Sequence, residues 1–220
     1  MTSDVTAMSS SVPALHVGTS GWAYPSWRPG FYPPGTQSGD FLRFYAERFP
    51  TVELNTTGYR LPGEEQFERW AEQTPAGFTF APKLPAQRPR IVGEFSERTR
   101  RLGERLGPVR VSVKSPRDEG MLELLLGSLD PSLRLAFDLE DTSWDGIEPR
   151  LAAAGAVRVN DLRTDAPFRY VRLREPPYSD DDLRRWAERL RGLDVPAFVY
   201  LRHEEEPTAP RYAERLIELL

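Results

Sequence analysis

The stretch Val52-Glu-Leu-Asn-Thr-Thr-Gly-Tyr-Arg-Leu-Pro62 indicates the fold most clearly, and Gly18-Thr-Ser-Gly-Trp22 shows the same pattern nearer the start of the chain. In each, a short apolar strand runs directly into polar and glycine-rich residues. The strands of a parallel barrel deliver side chains to a site at their C-terminal ends in this way. Both stretches therefore predict strands that end at a functional site.

Eight apolar, β-branched or aromatic runs are spread along the 220 residues. They cover residues 15–17, 51–54, 78–81, 109–113, 133–139, 156–159, 169–173 and 197–201. Most are separated by apolar residues at helical spacing, and Ser179 and Asp182 are placed as a capping box after the seventh run. Segments 94–106 and 119–126 are helical by composition, whereas those after the fifth and sixth runs are short or irregular.

Strands and helices that alternate eight times predict a parallel sheet with helical crossovers. We expect a single-domain (β/α)8 TIM barrel over residues 14–220, somewhat shorter than the usual ~250 residues. An open doubly wound sheet is the alternative, but Gly18 and Gly21 lack the third glycine of its nucleotide-binding fingerprint. Residues 1–13 are rich in serine and threonine and predict a disordered tail.

Composition narrows the classes of function. A net charge of −4 and a pI near 5.4 argue against generic binding to nucleic acid. No apolar run is long enough to span a bilayer, and the lack of cysteine excludes disulfides and thiolate metal sites. We therefore expect a cytoplasmic protein with no membrane or nucleic-acid partner, no cofactor and, given two histidines, no metal site.

Nearly every predicted strand ends in polar or charged residues. The residues with a predicted role are Ser20, Trp22, Glu53, Asn55, Tyr59, Lys83, Lys114, Asp138, Arg172 and Arg174. The turn at Ser20 offers backbone N–H groups to an anion. The aromatic residues from Trp22 to Tyr32 either stack on a ligand or form a lid packed over the barrel mouth. His203 is interpreted as part of a charged loop.

Glu53 and Asn55 are two residues apart and share one face of the second strand. A carboxylate inside a barrel is costly unless it is paired, and Lys83 on the next strand is the nearest candidate partner. The pair either supplies a general acid or base or is a structural ion pair that braces the barrel mouth.

Asp138 shares a face with Glu140 and suits acid–base chemistry, although Glu140 begins an acidic loop. Arg172 and Arg174 alternate with apolar residues, so their side chains are expected to point inward together. An inward arginine either clamps a carboxylate or phosphate or neutralises Asp138 or Asp161 across the barrel.

These segments resemble the YecE-like barrel family, domain of unknown function 72, from residue 17 to the C-terminus. The family pattern E-x-N-x-T-x-Y-R-L-P is matched from Glu53 to Pro62, and T-P-x-G-F-x-F-x-x-K is matched from Thr74 to Lys83. The resemblance implies a TIM barrel and names no reaction.

The second half of the chain departs from the family pattern. Where the family has E-x-R-H-x-S-W, this chain has acidic residues at Glu140 and Asp141. Where the family has R-L-H-G, this chain has Arg174 in place of the histidine. Where the family has L-F-Q-L-P-P, this chain has Lys114 in place of the second leucine. The F-N-N of the family is replaced by residues 201–203. Either the substrate has changed, or catalysis has been lost on a retained scaffold.

We expect the barrel mouth to bind a small anionic metabolite, phosphorylated or carboxylated, and to act on it if the chain is an enzyme. Glu53 is then the general base, Lys83 the charge stabiliser or acid, and Asp138 a second acid–base group. Arg172 is the anion clamp, and Asn55 and Tyr59 orient the ligand. The alternatives are a non-catalytic binding or scaffold barrel with a degenerated site, and a metal-dependent phosphodiester hydrolase of the endonuclease-barrel type.

Overall fold

The computed structural model describes residues 13–84 and 89–220. Within these ranges the chain forms eight β-strands, and every pair of hydrogen-bonded neighbours runs parallel. The strands are β1 (Leu15–Thr19), β2 (Thr51–Leu54), β3 (Thr79–Pro82), β4 (Val109–Val113), β5 (Leu135–Leu139), β6 (Val157–Arg158), β7 (Arg169–Leu173) and β8 (Ala197–Leu201). Each strand coincides with one of the predicted runs, so the prediction of the strands is confirmed.

The described residues also form seven α-helices and several short 3-10 helices. The α-helices are α1 (Phe41–Ala46), α2 (Glu64–Glu72), α3 (Pro89–Thr99), α4 (Glu119–Ser128), α5 (Glu148–Ala153), α6 (Asp180–Arg191) and α7 (Thr208–Glu218). The 3-10 helices are Pro25–Trp27, Ser38–Asp40, Asn55–Gly58, Arg100–Arg105 and Thr142–Trp144. Residues 159–168, between β6 and β7, form no helix, as their irregular pattern predicts.

Helix α6 begins with the predicted capping box. The Oγ of Ser179 accepts a hydrogen bond from the backbone N of Asp182 at 3.2 Å, and the Oδ2 of Asp182 accepts one from the backbone N of Ser179 at 2.9 Å. The helix predicted over 94–106 instead changes from α to 3-10 geometry after Thr99, and Gly103 interrupts it with a φ of 55°. The capping box therefore fixes the start of α6, and Gly103 interrupts the helical segment that follows α3.

The strands form two parallel sheets, with the orders β3-β2-β1-β8-β7 and β4-β5-β6. Backbone hydrogen bonds also cross between the sheets at both of their facing edges. Leu84 N donates to Arg110 O at 2.9 Å beside β3 and β4, and Asn160 N donates to Tyr170 O at 2.9 Å beside β6 and β7. The chain is thus a single-domain, mixed α/β fold with parallel sheets.

Asn160 extends the short strand β6 with its side chain. Its backbone has a φ of 67°, a left-handed conformation that asparagine tolerates better than most residues. Its Oδ1 accepts a hydrogen bond from Arg172 N at 2.7 Å, and its Nδ2 donates to Arg172 O at 3.2 Å. The side-chain amide therefore pairs with β7 as the backbone of a further strand residue would.

Alternate residues of each strand face two different cores. On β8, Val199 and Leu201 belong to the outer core with the helices, whereas Phe198 and Tyr200 face an interior shared with residues of β3, β5, β6 and β7. Because both faces are covered, the strands read as continuous apolar runs in the sequence. Leu54 of β2 lies in the outer core, as expected if its two sequence neighbours point inward.

Residues 1–12 of the expected disordered tail lie outside the described part of the chain. Among helices within the described ranges, none combines the length and the apolar character needed to cross a bilayer.

Gly18 allows β1 and β2 to approach closely. It is paired with Thr51, and the hydroxyl of Tyr45 sits between the strands, accepting from Thr19 N at 2.8 Å and donating to Thr51 O at 3.0 Å. A Cβ at position 18 would overlap the carbonyl oxygen of Thr51 and lie 2.9 Å from the Tyr45 hydroxyl.

We expect Gly18→Ala to lower the free energy of unfolding by about 2 kcal/mol or more, because a backbone carbonyl cannot yield to the new methyl group. Gly39→Ala is the matched control, since a Cβ at Gly39 meets nothing within 4 Å. Urea unfolding of both variants measures the difference. Similar losses in the two variants would show that the strands do not depend on glycine at position 18.

Candidate functional site

A cavity of about 550 Å³ opens at the carboxyl ends of the strands, and we call it the mouth cavity. It is lined by Ser20, Tyr24, Asn55, Thr56, Tyr59, Lys83, Arg110, Ser112, Lys114, Glu140, Arg172, Arg174, Arg202 and His203. Most of these residues stand at the ends of β1, β2, β3, β4, β5, β7 and β8 or in the loops that follow them, and Arg110 and Ser112 lie within β4. All predicted site residues except Trp22, Glu53 and Asp138 line this cavity.

Glu53 is fully buried, and both of its carboxylate oxygens are occupied. Its Oε1 lies 2.9 Å from Arg172 Nε and 3.0 Å from Arg110 Nε, and it accepts a hydrogen bond from the Tyr170 hydroxyl at 2.8 Å. Its Oε2 accepts from Arg172 Nη2 at 3.0 Å. The expected pairing of Glu53 with Lys83 is therefore wrong, because Arg110 of β4 and Arg172 of β7 hold this carboxylate from across the interior.

Asp138 is the second buried carboxylate of the interior. Its Oδ2 accepts from Arg110 Nη1 at 2.7 Å and from Arg172 Nη1 at 3.4 Å, and its Oδ1 accepts from Arg174 Nη2. Burial raises the pKa of Asp138, but the hydrogen bond from Arg174 and the charges of the three arginines outweigh burial and hold the pKa below its ordinary value. Arg172 was expected either to clamp an anion or to neutralise Asp138 or Asp161, and the ion pair with Asp138 is observed.

Arg110 links the two carboxylates, and the sequence interpretation did not include it. Its side chain is 5% exposed, and its Nη2 donates to Asn55 Oδ1 at 2.9 Å. Its Nε is in ion-pair range of Glu53 but is not aligned to donate a hydrogen bond. Burial lowers the pKa of Arg110, while Glu53 and Asp138 raise it, with a net rise. The alternation Val-Arg-Val-Ser-Val over Val109–Val113 was the available signal that this side chain faces inward.

Glu53, Arg110, Asp138, Arg172 and Arg174 form one connected network, which we call the charge cluster. It joins strands β2, β4, β5 and β7 with the residue that follows β7. Three guanidinium groups face two carboxylates, so the charge cluster carries an excess of one positive charge. All three arginines line the mouth cavity and neither carboxylate does, so the excess charge faces the cavity.

Lys83 is half-buried at the end of β3. Its aliphatic stem crosses Gly58, where a Cβ would overlap it, and its Nζ lies 5.4 Å from the centre of the Tyr59 ring. Burial lowers the pKa of Lys83, and the nearby charge of Arg110 lowers it further. Tyr59 is 86% exposed, so it forms the outer rim of this side of the cavity.

His203 belongs to the mouth cavity rather than to a solvated loop. Its backbone N donates to Ser20 Oγ at 3.0 Å, its Nδ1 lies 3.3 Å from the same oxygen, and its ring stacks on Tyr24 at 4.6 Å. Burial and the charge of Arg202 lower the pKa of His203, so the imidazole is mainly neutral at pH 7. The adjacency of first and last strands in a barrel was the signal that could have placed it beside Ser20.

Trp22 and most of the aromatic residues that follow it lie away from the mouth cavity. Trp22 is buried against Trp70 and Phe80, while Trp27 and Tyr32 are fully buried in the outer core. The segment therefore packs as a core element, and Tyr24 is its contribution to the cavity wall. Lys114 also lines the cavity, 76% exposed, with its Nζ 3.6 Å from Glu140 Oε2.

A larger cavity of about 870 Å³ adjoins β6 and helix α6. It is lined by the irregular segment after β6 and by Trp186 and Arg189 of α6, with Asp138 and Arg174 at its edge. We place the candidate site in the mouth cavity because cationic groups from several strands converge there.

Among the residues that the structure describes, no three histidine, aspartate or glutamate side chains stand together in a way that could hold a metal ion. The groups that converge on the mouth cavity are mainly guanidinium and ammonium donors. Such groups recognise phosphate and carboxylate oxygens.

The chain belongs to the family described as protein of unknown function DUF72, whose model matches residues 16–220. The UPF0759 protein YecE of Escherichia coli strain K12 is 40% identical over 73 residues, 33% of this chain and 24% of that protein. The UPF0759 protein YunF of Bacillus subtilis strain 168 is 33% identical over 69 residues, 31% of this chain and 23% of that protein. The matched part thus spans about a quarter of the length of these curated relatives.

Two crystal structures of a DUF72 family protein from Enterococcus faecalis V583 have the same fold. The structure at 2.52 Å resolution superposes with a TM-score of 0.75 at 14% identity, covering 94% of this chain and 97% of the other. The structure at 3.10 Å resolution gives a TM-score of 0.78 at 14% identity, with 94% and 95% covered. The resemblance to this family drawn from the sequence motifs is therefore confirmed.

We expect Arg110→Met to lower the free energy of unfolding by about 3 kcal/mol, because it leaves two buried carboxylates short of a partner. Lys114→Met is the matched control just beyond the same strand. Its 76% exposed ammonium group lies in an ion pair with Glu140 at 3.6 Å, so a change below about 1 kcal/mol is expected. Urea unfolding tests both variants, and equal losses would contradict the view that the charge cluster depends on Arg110.

The acid stability of the fold should depend on Asp138. Since its pKa is lowered in the folded chain, its contribution to stability is present above the unfolded pKa of about 3.9 and is lost as the pH falls through the folded pKa. We expect the stability difference between wild type and Asp138→Asn to shrink as the pH falls below about 4. Denaturant unfolding across pH measures it, with the exposed Asp165→Asn as comparison, and a difference constant with pH would contradict the assignment.

Proposed function

We propose that this member of the DUF72 family binds a small anionic molecule, carrying a phosphate or carboxylate group, in the mouth cavity. The observation that carries the proposal is the charge of the cavity wall. Among the described residues, six cationic side chains line the cavity, and Glu140 supplies the one carboxylate. The cations are Lys83, Arg110, Lys114, Arg172, Arg174 and Arg202. An anion that enters the cavity would meet donors from several strands at once.

We further propose that the eight strands close as one (β/α)8 barrel around the charge cluster. Backbone hydrogen bonds at Leu84 and Asn160 support closure at the two edges where the sheets meet. The shared interior core and the ion pairs of Glu53 with Arg110 and Arg172 support it as well, because they connect strands of both sheets. The mouth cavity then corresponds to the C-terminal face at which barrel enzymes carry their sites.

Within this proposal, Glu53 and Asp138 act on the arginines and not on the ligand. Their oxygens are occupied by guanidinium groups, so neither is placed to take a proton from a bound molecule. They fix the directions of Arg110 and Arg172, whose positions would otherwise vary. The general-base role expected for Glu53 therefore passes to His203, whose lowered pKa leaves a neutral imidazole in the cavity wall near pH 7.

A non-catalytic binding barrel is the second candidate. The full engagement of Glu53 and Asp138 favours it, because guanidinium and hydroxyl groups already occupy the two carboxylates that were expected to carry out acid–base chemistry. Both candidates share the anion site and differ in whether a proton is transferred. With either candidate function, we also propose that the protein is cytoplasmic and has no nucleic-acid partner.

We expect inorganic phosphate to raise the stability of the wild type, by about 2.7 kcal/mol at 100 times its dissociation constant. Lys83→Gln should lose most of this stabilisation, because it removes a donor from the cavity. Arg191→Gln should keep it, since Arg191 is an exposed residue of α6 outside the cavity wall. Thermal unfolding against phosphate concentration measures the effect.

Phosphate also stabilises folded proteins by exclusion from their surface, and that effect does not saturate. Specific binding therefore requires a saturating curve in wild type and Arg191→Gln that is weakened in Lys83→Gln. The same non-saturating rise in all three proteins would contradict the anion site.

A further inference from the structure

Lys83 differs from every other cation that lines the mouth cavity. The chain has 29 lysine and arginine residues, and only Lys83 and Lys114 are lysines. Lys114 is 76% exposed beside Glu140, whereas Lys83 is half-buried with its stem held across Gly58 and against Tyr59. If this residue only bound an anion, arginine would suffice, because a guanidinium group binds oxyanions bidentately. A primary amine, in contrast, can also act as a nucleophile.

Charged groups face Lys83 from several strands. Arg110 on β4 and Arg172 on β7 disfavour the ammonium form, while Glu53 on β2 and Asp138 on β5 favour it. Burial is the main cause that lowers the pKa of Lys83, the two cations add to it, and both carboxylates are already bound by arginine. An amine that is desolvated beside a cation is the arrangement by which proteins activate lysine toward carbonyl compounds.

We propose that Lys83 forms an imine with an aldehyde or ketone that carries a carboxylate or phosphate group. This inference rests on the proposed anion site and names its substrate class. The lone pair of the neutral Nζ attacks the carbonyl carbon, and a proton moves from nitrogen to oxygen to give a carbinolamine. The carbinolamine hydroxyl then leaves with a proton as water, and the C=N bond forms without oxidation or reduction.

The arginines supply the other half of the recognition. Arg172 and Arg174 line the same cavity, and Glu140 is the acidic residue among its described lining residues. They would hold the anionic group of the ligand while its carbonyl reaches Lys83. His203, mainly neutral near pH 7, is the group in the wall that is suited to carry the proton between nitrogen and oxygen.

The two lysines allow a clean test with single-lysine proteins. Lys114→Arg leaves Lys83, Lys83→Arg leaves Lys114, and both variants keep the charge of the chain. Each protein is treated with glyoxylate and sodium cyanoborohydride, which reduces the imine to a stable secondary amine. Peptide mapping by mass spectrometry then gives the rate of labelling at each lysine, and the same reaction in denaturant gives the intrinsic reactivity of each.

We expect glyoxylate to label Lys83 several-fold faster than Lys114 near pH 7, although Lys114 is the more exposed residue. The preference should be smaller for acetaldehyde, which lacks the anionic group, and inorganic phosphate should reduce it. Equal or faster labelling of Lys114 in the folded proteins would overturn the inference, as would the same preference in denaturant.

The failure of this inference can be told apart from the failure of the anion site. Stabilisation by phosphate is measured on the wild type, in which peptide mapping also resolves labelling at the two lysines. A saturating stabilisation of the wild type without preferential labelling of Lys83 would reject the imine and keep the anion site. No saturating stabilisation in the wild type would reject the anion site itself.

Discussion

The burial of Glu53 is the constraint on which the interior of this fold depends. A carboxylate removed from water is tolerated only when its oxygens are satisfied by positive or hydrogen-bonding partners. Here Arg110, Arg172 and the Tyr170 hydroxyl fill that need. Each of these partners comes from a strand far from Glu53 in the sequence, so the carboxylate can be accommodated only when several strands are in register.

The same arrangement orders the cavity above it. Because Arg110 and Arg172 are also shared with Asp138, a shift of one arginine would disturb two carboxylates at once. The donors that line the mouth cavity are thereby held in fixed directions before any ligand arrives. Preorganised donors bind an anion with less loss of side-chain entropy than mobile surface cations do. If the proposed anion site is correct, stability and recognition draw on one set of charges.

Much of the fold could be predicted from the sequence, because strands buried on both faces give unbroken apolar runs. The inward direction of Glu53 and Arg172 also followed from alternation. The identity of the partners did not, because ion pairs such as that of Arg110 with Glu53 span 57 positions of sequence and depend on strand register. The sequence suggested Lys83 as the partner because it is on the next strand, but Arg110 and Arg172, from strands further along the chain, hold this carboxylate.

Two departures from the family pattern are now seen to contact each other. Glu140 stands where the motif has a basic residue, and Lys114 stands where the motif is apolar, and their side chains form an ion pair. Arg174, where the motif has histidine, is paired with Asp138. These three altered residues thus each take part in an ion pair.

The amide side chain of Asn160 has a consequence for the motions of the molecule. It holds the backbone of Arg172 on β7 where β6 has already ended, so this edge is joined by one residue rather than by a ladder of several. An edge with so few bonds opens more readily than the long β7–β8 ladder on the other side of the same strand. The backbone of Arg172 is therefore held by a long hydrogen-bonded ladder on its β8 side and by the bonds of one residue on its β6 side. Local opening of the fold would begin at the β6 side, beside the charge cluster.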